Sequence, residues 1–169
     1  MEKIKRTITT YTVEHWRGDE LLSVTEDSNV CTDEGLNALL NIMFNAATQI
    51  TTWYVLIFET DTEPASATTY ATPVWTESEA YDEATRPEYV DVTADAKIMT
   101  NSASKAVFTI SATKTIYGAA LVGGGSAATT KADAAGGGTL FSASQFSAEK
   151  ACVDNDVLNV TVTITVADS

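Results

Sequence analysis

From Leu36 through Leu39 and Leu40 to Met43, apolar residues recur at three- and four-residue spacing, which predicts an amphipathic helix over residues 33–47. Thr32 is placed to cap it, and Asp33 and Glu34 put negative charge on the first turn, where the helix dipole favours it. Gly35 weakens that start by roughly 1 kcal/mol relative to Ala, so the cap matters. A polar break at Thr48-Gln49 follows. Trp53-Tyr54-Val55-Leu56-Ile57-Phe58 is then apolar on both faces, which predicts a central strand covered on one side by the helix. Helix and strand read as the scaffold on which the rest is arranged, and neither holds a catalytic residue.

Upstream, residues 3–16 alternate imperfectly. Ile4 and Ile8 share one phase and Tyr11 and Val13 the other, so a bulge or change of face is expected near Thr9-Thr10. Arg17-Gly18-Asp19-Glu20 reads as a turn before a short strand at Leu21 to Val24. Its Arg-Gly-Asp is a tripeptide common by chance, and a turn explains it better than cell adhesion. Residues 59–88 then hold eight acids, one base (Arg86) and every proline of the chain, without clear periodicity. Trp75 and Tyr81 argue that this segment packs on something.

Short strands are expected at Tyr89 to Val92 and Ala96 to Met99, with a turn at Asn101-Ser102 and a half-buried strand over residues 106–112. Ile116 to Val122 is apolar, with Gly118 and Ala119 where another backbone can approach closely. Residues 123–138, of low complexity, read as an exposed flexible loop. Structure restarts at Leu140-Phe141, a further short strand is expected from Phe146 to Val153, and Asn155-Asp156 turns into the cleanest alternation of all. There Leu158, Val160, Val162, Ile164 and Val166 face one way, with Asn159, Thr161, Thr163 and Thr165 opposite. The whole predicts a mainly β protein: one antiparallel β-sandwich, jelly-roll-like, over residues 1–169, with one helix and long loops near 59–88 and 123–138.

Composition narrows the partners. With 169 residues, 44% of them hydrophobic, the chain can bury one sizeable core. The net charge of -13 argues against nucleic acid and against an anionic membrane surface, since both need clustered Lys and Arg. The small basic cluster Lys3, Lys5 and Arg6 does not reverse that, but it can anchor an N-terminal arm. No signal-peptide pattern and no membrane-length apolar run is present, so synthesis and solubility in a cytoplasm are expected. Cys31 and Cys152 read as unpaired thiols rather than a disulfide.

Candidate chemistry is sparse. His15 is the single histidine, and no Gly-x-Ser-x-Gly elbow accompanies it, so a satisfied or solvent-facing structural role is expected. Cys31, Cys152 and His15 lack the paired spacing of a zinc site. Gly123-Gly124-Gly125-Ser126 and Gly136-Gly137-Gly138-Thr139 lack the Gly-Lys-Ser/Thr ending of a phosphate loop. Glu59, Asp61 and Glu63, or Glu77, Glu79, Asp82 and Glu83, lack EF-hand spacing and read as a solvated acidic loop. Nothing singles out a carboxylate pair for glycoside hydrolysis. No metal, cofactor or enzymatic activity is expected.

From Gly35 to Val166 the chain resembles a family of small structural proteins of tailed bacteriophages. The matching pieces run in order: Gly35-Leu36-Asn37, Trp53-Tyr54-Val55, Tyr81-Asp82-Glu83-Ala84-Thr85-Arg86-Pro87, Asn101-Ser102, Ile116-Tyr117-Gly118-Ala119-Ala120-Leu121, Gly138-Thr139-Leu140-Phe141 and Asp156-Val157-Leu158. Asn155 stands where the family pattern commonly has Gly, and Asn also tolerates a left-handed turn. The resemblance implies a virion component without catalytic residues. The form expected is a capsid decoration or cement protein, bound on the capsid surface to the major capsid protein and to other copies of itself. Lys3, Lys5, Arg6, Trp75, Tyr81 and Arg86 are the candidate contact residues. The alternative is a tail-fibre or receptor-binding β module that grips a host glycan with Trp75, Tyr81 and nearby acids; a hydrolase ranks last.

Overall fold

Two antiparallel sheets pack face to face around one main core. A computed structural model describes residues 6–125, 128–132 and 136–167. Lys3, Lys5 and the expected N-terminal arm lie outside the described residues, as do parts of the 123–138 segment, while Arg6 opens the first strand. The strands are β1 (Arg6–Arg17), β2 (Glu20–Val30), β3 (Trp53–Phe58), β4 (Ile98–Thr100), β5 (Ala106–Thr109), β6 (Lys114–Gly123), β7 (Thr139–Cys152) and β8 (Asp156–Ala167), with helix α1 (Asp33–Phe44) between β2 and β3. The larger sheet is ordered β2-β1-β8-β4, and β5 continues the β4 edge of β8; the smaller is β3-β6-β7. This is the mainly β, sandwich-like architecture with one helix that the alternation predicts.

β8 carries the design of the larger sheet. Leu158, Val160 and Val162 are fully buried, and the stripe opens toward solvent at Val166. Asn155 turns the chain into it in the left-handed region (φ 67°), a conformation that Asn tolerates better than most residues. β1 pairs with β8 without a shift from Arg6 to Arg17. Thr9, Tyr11, Val13 and His15 therefore form one continuous inward row. The bulge expected near Thr9-Thr10 is absent, and the shift against β2 comes only at His15/Trp16. Two polar residues on the inward phase disguise it in the sequence.

Other boundaries also differ. β2 extends to Val30 as the partner of β1, far beyond the four residues expected. β7 is one strand of 14 residues where two fragments are expected, because its first half is buried on both faces. Residues 89–92 form no strand; the Tyr89 N–H instead donates to the Trp53 carbonyl at 2.8 Å. α1 stops at Phe44 rather than at 47, as Ala46 turns left-handed (φ 52°) and the Ala47 N–H returns to the Asn41 carbonyl.

The larger correction concerns what covers β3. The start of α1 is as expected: the Thr32 hydroxyl accepts from the Gly35 N–H at 3.0 Å. Glu34 Oε2 accepts from the main-chain N–H groups of Tyr70 (2.9 Å) and Leu140 (2.6 Å), tying the helix to its neighbours. Gly35 is there for space, since a Cβ would collide with the Phe141 main chain. Yet Gly35 is the one buried residue of α1, and the Leu39-Leu40-Met43 stripe stays exposed. The helix is peripheral.

Residues 59–88 do the covering instead. Val55 and Ile57 enter the main core between the sheets, while Leu56 and Phe58 enter a second core with Tyr70, Trp75, Ala120, Val122, Leu140 and Ala143. The outer edge of β3 is sealed by the same segment through main-chain bonds, Val55 N–H to Pro87 O and Ser78 N–H to Ile57 O, each 2.9 Å. That is why β3 is apolar on both faces.

Gly118 confirms the close approach expected in β6. A Cβ there would overlap the Phe58 ring and the Ser144 carbonyl oxygen, the second of which is main chain and cannot swing away. Gly118→Ala should therefore destabilise the protein by about 1–3 kcal/mol in chemical denaturation. An unchanged midpoint and slope would mean that β7 and Phe58 move apart freely.

Candidate functional site

Arg17, the last residue of β1, stands opposite Asp156, the first of β8. Its guanidinium donates from Nε to Asp156 Oδ1 and from Nη2 to Oδ2, both at 2.8 Å. Asp156 Oδ2 also accepts from the Val153 N–H at 2.9 Å and lies 2.8 Å from His15 Nε2. Cys152 ends β7 beside them, so that thiol, imidazole and carboxylate donor atoms all lie within 4.8 Å of one another, all three residues being buried.

Those are the parts of a Cys–His–Asp nucleophile, or three donors for a metal ion. Their environment favours neither. Burial pushes the Cys152 thiol up to about 12, so the thiolate a nucleophile needs is scarce near neutral pH. A metal would have to compete with Arg17 for a carboxylate that already receives donors on both oxygens. The Arg17 guanidinium works against desolvation and, with the Val153 N–H and His15, holds the Asp156 carboxyl well below the usual carboxylate range. The cluster is a charge-compensated fastening of the β7–β8 turn to the end of β1. His15 has the satisfied structural place expected of it. Cys31 is no member: it bridges to Ser142, and both cysteines are free and buried.

A second polar cluster pins the two long loops together. Arg86 is 2% exposed and pairs with Glu77 through Nε to Oε1 (2.8 Å) and Nη2 to Oε2 (2.6 Å). Its Nη1 donates to the Tyr70 hydroxyl (2.9 Å) and to the Ala128 carbonyl (2.8 Å). Lys131 Nζ lies 3.7 Å above the Tyr81 ring, which packs edge-on against Phe108. Trp75 stacks on Phe58 at 4.9 Å between centroids. Three of the candidate contact residues, Trp75, Tyr81 and Arg86, are thus buried and occupied within the chain. Within the 123–138 segment, residues 128–132 are docked rather than free.

The acids of 59–88 divide in two. Glu59 pairs with Lys114 at 2.9 Å, Glu77 with Arg86, and Glu83 accepts from the Thr109 main chain and hydroxyl. These are tethers, not members of a solvated loop. Asp61, Glu63, Glu79, Asp82 and Glu88 are exposed.

Two hollows remain. One of about 270 Å³ lies under the loop, lined by Tyr70, Trp75, Glu77 and Arg86 among others. The other is a groove of about 510 Å³ between α1 and the ends of β3, β4 and β8, with mostly apolar walls that include Leu39, Met43, Trp53, Ile98 and Val166. Ligand pockets usually hold roughly 300–1,000 Å³, and of these two the groove falls inside that range. Sequence reasoning misses both the groove and Asp156. An unpaired stripe on α1 signals the first; only a turn signals the second. No protein-family model matches this chain, and no curated protein matches it.

Proposed function

We propose that the protein is a structural component of a tailed-bacteriophage virion, a capsid decoration protein that binds the outer shell and strengthens contacts between major capsid proteins. The observation that carries this reading is how residues 59–88 are used. Their aromatic and cationic side chains fasten the segment onto the sandwich, and Asp61, Glu63, Glu79 and Asp82 turn outward on the backbone so fixed. Exposed acids on a fixed backbone suit adhesion to a basic or amide-rich surface without an ordering cost at each contact. The ordered matches from Gly35 to Val166 support the same reading. The glycan-gripping alternative loses ground, because Trp75 and Tyr81 are packed inside rather than set out as a platform.

A shell under internal pressure fails at its weakest subunit contacts, and a rigid body bridging two capsomers adds the energy of its own interfaces there. Once one contact forms, the next is made at an effective concentration on the order of millimolar. Particles lacking the protein should therefore release DNA at lower temperature than complete particles, read by dye uptake on heating. Particles carrying the fourfold variant of Asp61, Glu63, Glu79 and Asp82 to Asn or Gln should fall between, and wild-type binding to stripped shells should weaken as salt rises. Equal release temperatures for complete and protein-free particles would end the decoration reading in favour of a tail module.

A further inference from the structure

The groove beside α1 has a ridge next to it, and the two match. On α1, Leu39 and Met43 line the groove, while Leu40 and Phe44, one helical turn apart, form the ridge. These four side chains are 41%, 66%, 53% and 80% exposed in the same order. Ile98 and Val166, on the far wall, are 40% and 50% exposed. Monomeric surfaces seldom leave so continuous an apolar patch uncovered.

Charge identifies the occupant. From Gly35 to Phe58 there is no charged residue, in a chain whose net charge is -13. The groove adds only one acid and one base, Asp91 and Lys97. Two copies repel each other across their acidic surfaces, but not here. A strongly basic partner would find only Asp91, beside Lys97, to pair with on this face, whereas the outward acids of 59–88 would serve it. A convex apolar ridge beside a concave apolar groove is also the self-complementary pattern that a two-fold contact requires. The extent fits: nineteen residues line the groove, and with the ridge they approach the roughly 20–30 residues per side of a standard interface.

We propose that this face is a dimer interface, with the Leu40–Phe44 ridge of each copy seated in the groove of the other about a two-fold axis. Such a contact closes on itself and leaves no free edge for further growth. It would join two acidic chains into one bivalent body, but the pairing does not depend on the decoration reading.

Light scattering and sedimentation of the full chain across micromolar concentrations test it. The expected species has twice the mass of the 18.0 kDa chain, and it tightens as NaCl rises, because salt screens the repulsion and leaves apolar burial intact. Leu40→Asp and Phe44→Asp should each weaken dimerisation by at least about 30-fold, with circular dichroism and melting of the dilute monomer unchanged. Removing residues 1–5 should leave the dimer constant as it is. A full chain monomeric throughout overturns the proposal. So does a dimer indifferent to both substitutions, or a dimer that forms only once residues 1–5 are removed, which would give the groove to the N-terminus. Shell binding, measured separately on stripped capsids, can persist in any of these cases, so failure of the pairing and failure of the decoration reading are told apart.

Discussion

Arg86→Ala is expected to lower the free energy of unfolding by about 3–5 kcal/mol in urea or guanidinium titrations, because it strands a carboxylate rather than merely deleting a contact. Glu77, whose side chain is 7% exposed, faces Arg86 through two short parallel bonds. With the guanidinium gone, the Ala132 N–H at 2.9 Å still donates to Glu77, but a neutral amide does not replace the lost counter-charge. The Tyr70 hydroxyl and the Ala128 carbonyl also lose a donor that ties residues 59–88 to residues 128–132. Arg86→Lys should recover little, since an ammonium cannot reproduce the bidentate fork while also reaching Tyr70 and Ala128. The double variant Arg86→Met with Glu77→Leu should recover much of the loss, because the desolvation penalty disappears with both charges. A loss below about 1 kcal/mol for Arg86→Ala, the range of a surface pair, would mean that the two loops are held by the aromatic contacts alone.

The site of that prediction shows what the sequence could and could not convey. Trp75 and Tyr81 are legible as residues that pack on something, but their partners Phe58 and Phe108 are not, because each anchor meets the sheet singly and leaves no period. Arg86 and Glu77 look like any surface pair until burial is known. β8 reads correctly because its alternation is imposed by burial on one face only. β7 does not, since a strand buried on both faces loses the two-residue period. The stripe on α1 is visible as amphipathicity, yet periodicity says only that something covers it. The expected cover was the chain's own strand, whereas β3 is covered by residues 59–88 and the stripe stays open. Asp156 escapes for a different reason: His15 lies 141 positions away, and only the closure of β1 on β8 brings the two together.

Asp156→Asn should cost about 3 kcal/mol near neutral pH, and the cost should shrink in acid. The folded carboxyl is held below its ordinary value by Arg17 first, against desolvation, and then by the Val153 N–H and His15. A depressed folded value means that its contribution is complete above the unfolded carboxylate value of about 3.9 and is lost as pH falls through the folded one. The difference between wild type and Asp156→Asn, followed by denaturation from neutral pH downward, should therefore be constant to about pH 5 and narrow below it. Glu14 is also depressed, chiefly by its bond to Lys105, and contributes its own acid slope to both proteins. The comparison cancels that slope. Arg17, its side chain 48% exposed, regains water when the carboxylate is lost, which keeps the expected cost at the low end for a broken ion pair. A second readout separates this local fastening from a general loss of stability. Val153 donates to Asp156 next to Cys152, so the variant should open the β7–β8 turn and speed the reaction of one thiol with a disulfide reagent, while Cys31, buried against Thr9, keeps its rate. A pH-independent difference, or two thiols accelerated alike, would show that the carboxylate contributes shape rather than charge at this turn.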